Sequence, residues 1–290
     1  LQIGEGLAGR AALQRKMIHV PDLSAQETSL QNSPRLEQES FVTYLAEPLI
    51  AKGEIVGVLE VFHRSLLKPD HEWIDFLDAL ASQAAIAIDR LNLYNDLERS
   101  NVELIQAYDA TIEGWAKAVE LRDGETEGHS RRVVQMTLQL ARRLGITGES
   151  LADIRRGTLL HDIGKMAVPD SILLKPGDLS EEDWKVMKQH PALAYEMLSG
   201  IEYLRRALDI PYCHHERWDG SGYPRGVSGE EIPLSARIFA VVDVWDALLS
   251  DRPYRGAWSE EEVLAYIKDQ SGKHFDPDVV KEFFQLIESK

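Results

Sequence analysis

The sequence has 290 residues, 44% hydrophobic and 28% charged, which is enough chain for two domains and a sizeable core. A net charge of −16 excludes the broad basic footprint with which proteins hold DNA or RNA, yet leaves room for a small phosphate ester gripped by local cations. A single cysteine, Cys213, rules out an internal disulfide and fits a reducing compartment. No apolar run reaches bilayer length, so the expectation is a cytoplasmic protein without membrane contact in this stretch.

The chain opens on Leu1-Gln2-Ile3 without a Met, which reads as part of a longer protein. Residues 1–71 read as mixed α/β: a short helix over Leu7–Gln14, a strand over Met17–Val20 and a polar, irregular stretch from Ser24 to Ser40. Two apolar runs follow, Tyr44–Ala51 and Ile55–Phe62, and Lys52-Gly53-Glu54 between them predicts a hairpin.

From Trp73 the apolar period becomes helical, through Leu77, Leu80, Ala84, Ala87, Leu91 and Tyr94, then Leu97, Leu104 and Tyr108. Neither Pro nor Gly interrupts Glu72–Glu113, which predicts one helix of about eleven turns. A helix of that length needs a partner. The three- and four-residue apolar steps around Asn101 predict a parallel homodimer through residues 72–113.

Residues 114–290 read as all-helical. Ser180-Glu181-Glu182-Asp183 and Ser259-Glu260-Glu261-Glu262 carry capping boxes, and Asp276-Pro277 opens another helix. Leu234–Leu249 carries an apolar stripe, whereas Trp218–Gly226, with three Gly and one Pro, reads as a loop.

Chemistry concentrates in this helical part. Glu125, His129, the His161-Asp162 pair, His190, the His214-His215 pair and Asp243 are five histidines and three carboxylates spread over several segments. Each alone has an ordinary structural explanation, from a polar helix start to a kink at Pro191. Together they suit iron, manganese or zinc, exceed one ion's needs, and match the way helical domains build multinuclear sites. Lys165 falls three and four residues after Asp162 and His161, so a helix would put all three on one face, where a cation suits a bound phosphate.

Residues from about 111 to 290 resemble the HD-GYP family, the branch of the HD superfamily that degrades cyclic di-GMP. The matching segments are Leu121–Val133, Leu159–Gly177, Gln189–Pro191, His214–Gly226 and Ile232–Arg255, with Gly222-Tyr223-Pro224 as the triplet that names the family. The resemblance implies metal ligands at Glu125, His129, His161, Asp162, His190, His214, His215 and Asp243, with Glu125 making a third ion possible. It also implies Asp162 as the bridging carboxylate and Lys165 as the contact to phosphate or to the attacking hydroxide. Tyr223, Arg252 and Arg255 would bind substrate. Leu249 stands where the family usually has Thr, and Gly256 where it has a basic residue.

The implied function is a metal-dependent phosphodiesterase that hydrolyses cyclic di-GMP to pGpG, with GMP as an open second product and a metal-bridging hydroxide as nucleophile. Two or three divalent ions are implied, iron first and manganese second. The alternatives are a cyclic di-GMP receptor signalling through partners and, further off, an HD-type di-iron oxygenase. Gly4–Leu23 and Tyr44–Arg64 resemble the later part of a GAF domain. The expected architecture is therefore an α+β GAF-like part (1–71), a connecting helix (72–113) and an all-α HD-type helical bundle (114–290).

Overall fold

The computed structural model describes residues 2–25, 39–124, 128–251 and 256–289. Two compact units divide it, Leu1–Leu104 and Ile105–Lys290.

The first unit contains helix α1 (Gly6–Gln14), strands β1 (Ile18–Val20), β2 (Thr43–Ala51) and β3 (Glu54–His63), and the first part of helix α2 (His71–Asp123). The strands form one antiparallel sheet in the order β1-β2-β3. Lys52 and Gly53 close the expected hairpin with φ of 49° and 84°, the positive angles that a two-residue hairpin turn needs to match strand twist. The central strand β2 is covered on both faces. Tyr44 and Ala46 pack with Leu7, Ala11 and Val20, while Leu49 and Ala51 meet Ala81 and Ala85 of α2. Alternation along a strand puts those two sets on opposite faces, with α1 covering one and α2 the other. Most of the stretch Ser24–Ser40 lies outside the described residues.

Helix α2 runs past its expected end at Glu113 to Asp123. Gly114 costs a helix interior roughly 1 kcal/mol relative to Ala. That cost is outweighed because Ile112, Ala116 and Val119, at i, i+4 and i+7, are all buried.

In the second unit follow α3 (His129–Arg143), α4 (Glu149–Leu159), a 3-10 turn (Ile163–Ala167), α5 (Asp170–Leu173), α6 (Glu181–Met187) and α7 (His190–Leu198). A second 3-10 turn (Glu202–Ala207) leads to α8 (Asp209–Cys213), α9 (Leu234–Leu249), α10 (Glu260–Asp269) and α11 (Pro277–Glu288). Both capping boxes form: the Ser180 and Ser259 hydroxyls accept from the N–H groups of Asp183 and Glu262, whose carboxylates accept in return. Asp276 caps α11 and also accepts from Arg237 of α9 at 2.5 Å, joining two helices at one carboxylate.

The main core unites Val133 and Leu140 of α3, Phe239 and Val242 of α9, Ile267 of α10 and Phe283 of α11. A second cluster joins Ile112 and Val119 of α2 to Leu160, Ile163, Ala194 and Leu198. Among the described residues no helix is long and apolar enough to cross a membrane.

Candidate metal centre

The polar residues singled out in the sequence sit mainly at the ends of helices. His129 is the first residue of α3, entered through Gly128 at φ 81°. His190 opens α7, with Pro191 in its first turn, so this proline starts a helix and kinks nothing. His214 and His215 follow α8, and Asp243 lies inside α9.

The expectation of a shared helical face at His161, Asp162 and Lys165 is corrected. Helix α4 stops at Leu159 and the chain turns, so His161 and Asp162 occupy the bend before the 3-10 turn. In that tighter geometry residues three apart eclipse, and Lys165 pairs with Asp162 at 2.7 Å. Gly164 makes the bend possible. A β-carbon there would lie 1.9 Å from the His190 carbonyl oxygen and 2.8 Å from the Ala194 nitrogen. The absence of a side chain lets the turn rest on the first turn of α7, which carries His190.

The histidines converge in two groups. His129, His161 and Asp243 offer ligand atoms within 4.8 Å of one another, and so do His190, His214 and His215. Asp162 lies between them. Its Oδ2 is 2.9 Å from His161 Nε2, and its Oδ1 is 3.3 Å from His190 Nε2 and 3.8 Å from His214 Nε2. His129 Nε2 is 3.8 Å from Asp243 Oδ1.

The outward nitrogens set the tautomers. Nδ1 of His161, His190 and His214 donates to the carbonyls of Thr158, Met187 and Ile210, at 2.8, 2.8 and 3.1 Å. His190 and His214, which burial holds neutral, donate from Nδ1 and so present a lone pair at Nε2. The Nε2 atoms of His190 and His214 lie only 3.2 Å apart, so two lone pairs face each other. That arrangement is repulsive unless a cation sits against it, so the donor set fits a divalent ion.

Electrostatics agree with this fit. Burial holds His190, His214 and His215 below the usual imidazole range, so they stay neutral and able to ligate. Burial pushes the Asp162 carboxyl up, but His161 and Lys165 outweigh it and keep the group well below the ordinary carboxylate range. Asp162 is therefore an anion in a nearly closed site, 8% exposed.

Several contributors escaped the sequence reading. Asp246 accepts from His129 Nδ1 at 2.8 Å and from Nε and Nη2 of Arg132 at 2.7 and 2.8 Å. Its signal was present, since it follows Asp243 by three residues in an apolar helix and shares that face. Phe239 packs on the His161 ring at 4.8 Å. Asp123 accepts from Lys165 Nζ at 3.0 Å.

Asp246→Asn is expected to weaken divalent-ion affinity about 10- to 100-fold, because His129 loses the anion that orients it. Chelator competition measures this, and affinity within twofold of the parent would deny Asp246 that role.

Tyr223 lies over the centre from the loop side, its ring 4.8 Å from that of His215. Gly222 allows this approach, since a β-carbon would meet the Arg217 nitrogen at 2.4 Å. The buried Glu216 accepts from the N–H groups of Arg225 and Gly226 and pins the far side of the loop. Burial raises the Tyr223 phenol, which stays protonated. Glu125, Arg252 and Arg255 lie outside the described residues.

Comparison with known proteins gives this centre a family. A model of the HD domain matches residues 115–279, more than half of the chain, and a GAF domain model matches residues 1–89. The cyclic di-GMP phosphodiesterase response regulator RpfG of Xanthomonas campestris pv. campestris is 46% identical over 192 residues, covering 66% of this chain and 51% of that protein. A cyclic di-GMP phosphodiesterase of Thermotoga maritima is 43% identical over 169 residues, covering 58% and 46%. The 3′3′-cGAMP-specific phosphodiesterase 2 of Vibrio cholerae is 40% identical over 199 residues, covering 68% and 37%. The chain thus spans about half or less of the curated relatives it matches. HD-family membership implies a divalent metal, in keeping with the two histidine groups. With the HD signature, the GYP triplet and the two triads brought together, the chain belongs to the HD domain family, in its HD-GYP branch, preceded by a GAF-type region.

Proposed function

We propose that this chain is a metal-dependent phosphodiesterase of the cytoplasm that hydrolyses cyclic di-GMP to pGpG, with further conversion to GMP to be tested. The observation that carries this reading is Asp162, which turns one oxygen toward His161 and the other toward His190 and His214. Divalent ions would be held by His129, His161 and Asp243 on one side and by His190, His214 and His215 on the other, with Asp162 facing both sets. Divalent ions supply Lewis acidity at phosphorus and lower the pKa of water. Two or three ions are proposed, with iron the first candidate, manganese the second, and Glu125 the residue that would accompany a third.

The protein's own side chains do the rest. Lys165 brings a positive charge to the edge of the centre, where phosphoryl charge develops, and the −16 balance of the chain makes such a local cation necessary. Tyr223 offers a protonated phenol and a ring beside His215, and we assign it, with Arg252 and Arg255, to the nucleotide. Both Leu249 and Gly256, which depart from the family pattern, stand in the segment assigned to substrate and bear on affinity.

The test is anaerobic purification with Fe(II) or Mn(II), followed by chromatography of products from cyclic di-GMP and, in parallel, 3′3′-cGAMP. Appearance of pGpG supports the proposal. Full metal occupancy without turnover of cyclic di-GMP rejects it, and tight binding without product assigns the receptor reading instead. Turnover of 3′3′-cGAMP alone assigns the other substrate, as the name of the Vibrio cholerae relative suggests.

We also infer that α2 pairs with its copy in a second chain, parallel and in register. Leu80, Tyr94, Leu97, Leu104, Tyr108 and Trp115 are each at least 40% exposed. They fall on one run of alternating three- and four-residue steps that passes through Ala87 and Asn101. Asn101 then takes an a position between Leu97 and Leu104 at d positions, the pattern that selects parallel two-stranded coils. The full chain is expected to sediment as a dimer and the Leu97→Asp, Leu104→Asp double variant as a monomer. A dimer that survives both changes would remove this seam.

A further inference from the structure

We propose that Arg122 and Asp123, the last two residues of α2, form a clamp that positions Lys165, with Asp123 as the residue that sets the ammonium. This deepens the proposed function and rests on its assignment of Lys165 to phosphate.

A lysine reaching a metal-bearing centre faces two difficulties. Its four-carbon stem loses about 2 kcal/mol of rotamer freedom when held in one place. Its charge is also repelled by any cation bound nearby. An anion outside both triads resolves both, and Asp123 is such an anion among the described residues. Lys165 Nζ lies between Asp162 Oδ2 at 2.7 Å and Asp123 Oδ2 at 3.0 Å. Asp162 faces the histidines of both triads, so its charge is shared with whatever they hold. Asp123 belongs to neither triad, and its side chain is only 4% exposed. Of the two carboxylates it is the one left to hold the ammonium when ions are bound.

Arg122 acts on the backbone of the same lysine. One branch of its guanidinium donates to the carbonyls of Lys165 at 3.1 Å and Met166 at 2.5 Å. The other donates to the Val168 carbonyl at 2.8 Å and to Asp170 Oδ1 at 2.7 Å. These carbonyls belong to the 3-10 turn and its exit, which lack the regular ladder of an α-helix. The fork of arginine suits the task, and lysine in its place could not span three carbonyls and a carboxylate. Helix α2 ends directly afterwards, at Gly124 with φ 71°. Adjacent residues at one helix end therefore hold both the backbone and the tip of Lys165. Neither was among the residues singled out from sequence.

The experiment compares the full metal-loaded chain with Asp123→Asn, Lys165→Ala and the double variant. Asp123→Asn keeps the shape and removes the charge. Its kcat is expected to fall about ten- to a hundredfold, the loss of one charge-assisted bond, with KM and metal content little changed. The double variant should be no slower than Lys165→Ala alone, because Asp123 acts through Lys165. Independently of any substrate, acetylation of Lys165 by acetic anhydride, followed by peptide mass spectrometry, should quicken several-fold in Asp123→Asn while its Tm stays near the parent value.

Losses that multiply in the double variant, or an unchanged acetylation rate, would overturn the clamp. A parent protein that hydrolyses no cyclic nucleotide would instead defeat the proposed function. The acetylation rate alone then decides whether Asp123 holds Lys165.

Discussion

Asp162→Asn is expected to lower turnover of cyclic di-GMP by at least about a thousandfold and to reduce the bound metal per chain. Asparagine keeps the shape but has one acceptor oxygen in place of two equivalent anionic ones. Its one oxygen can face His161 or the His190–His214 pair but not both, and it brings a negative charge to neither. Removal of this anion also strips Lys165 of its 2.7 Å partner. Metal content by mass spectrometry and pGpG by chromatography give the two readouts. A variant that retains full metal and a tenth of the activity would show that Asp162 bridges nothing.

The second large effect concerns Gly164→Ala, a change of one methyl group with no change in chemistry. The new β-carbon would fall 1.9 Å from the His190 carbonyl oxygen, a backbone atom that cannot swing aside. Either the 3-10 turn or the start of α7 must shift, and His190 moves relative to Asp162 in both cases. Overpacking of this kind costs about 1–3 kcal/mol. For a unit of this size that lowers Tm by roughly 2–12 °C. Metal affinity should fall with it, because the 3.2 Å approach of His190 to His214 depends on the same contact. A variant with parental Tm and metal affinity would mean that the turn stands off α7 in solution. The equivalent change at Gly114, where a β-carbon meets nothing within 4 Å, serves as the control.

Local signals made most elements legible. The two capping boxes and the Asp276-Pro277 start each lie within one helical turn, the apolar stripe of Leu234–Leu249 lies within one helix, and each formed where expected. The hairpin was equally local, because its turn residues act on their own backbone. The end of α2 was not legible. Gly114 suggested a stop, and the burial that carries the helix past it comes from Leu160, Ile163 and Leu198, distant in sequence. The bend at His161-Asp162 failed for a similar reason, since only its contact with α7 distinguishes a turn from a continuing helix.

For the centre, the sequence by itself determined the inventory: which imidazoles and carboxylates stand in the helical region. It could not sort them. The division into two triads, the two faces of Asp162, the carbonyls that fix each tautomer and the hold of Asp123 on Lys165 were decided by tertiary structure alone. The physical reason is range. Capping and periodicity act over one turn, whereas His129 and Asp246 are 117 residues apart and meet at 2.8 Å only after α3 packs on α9.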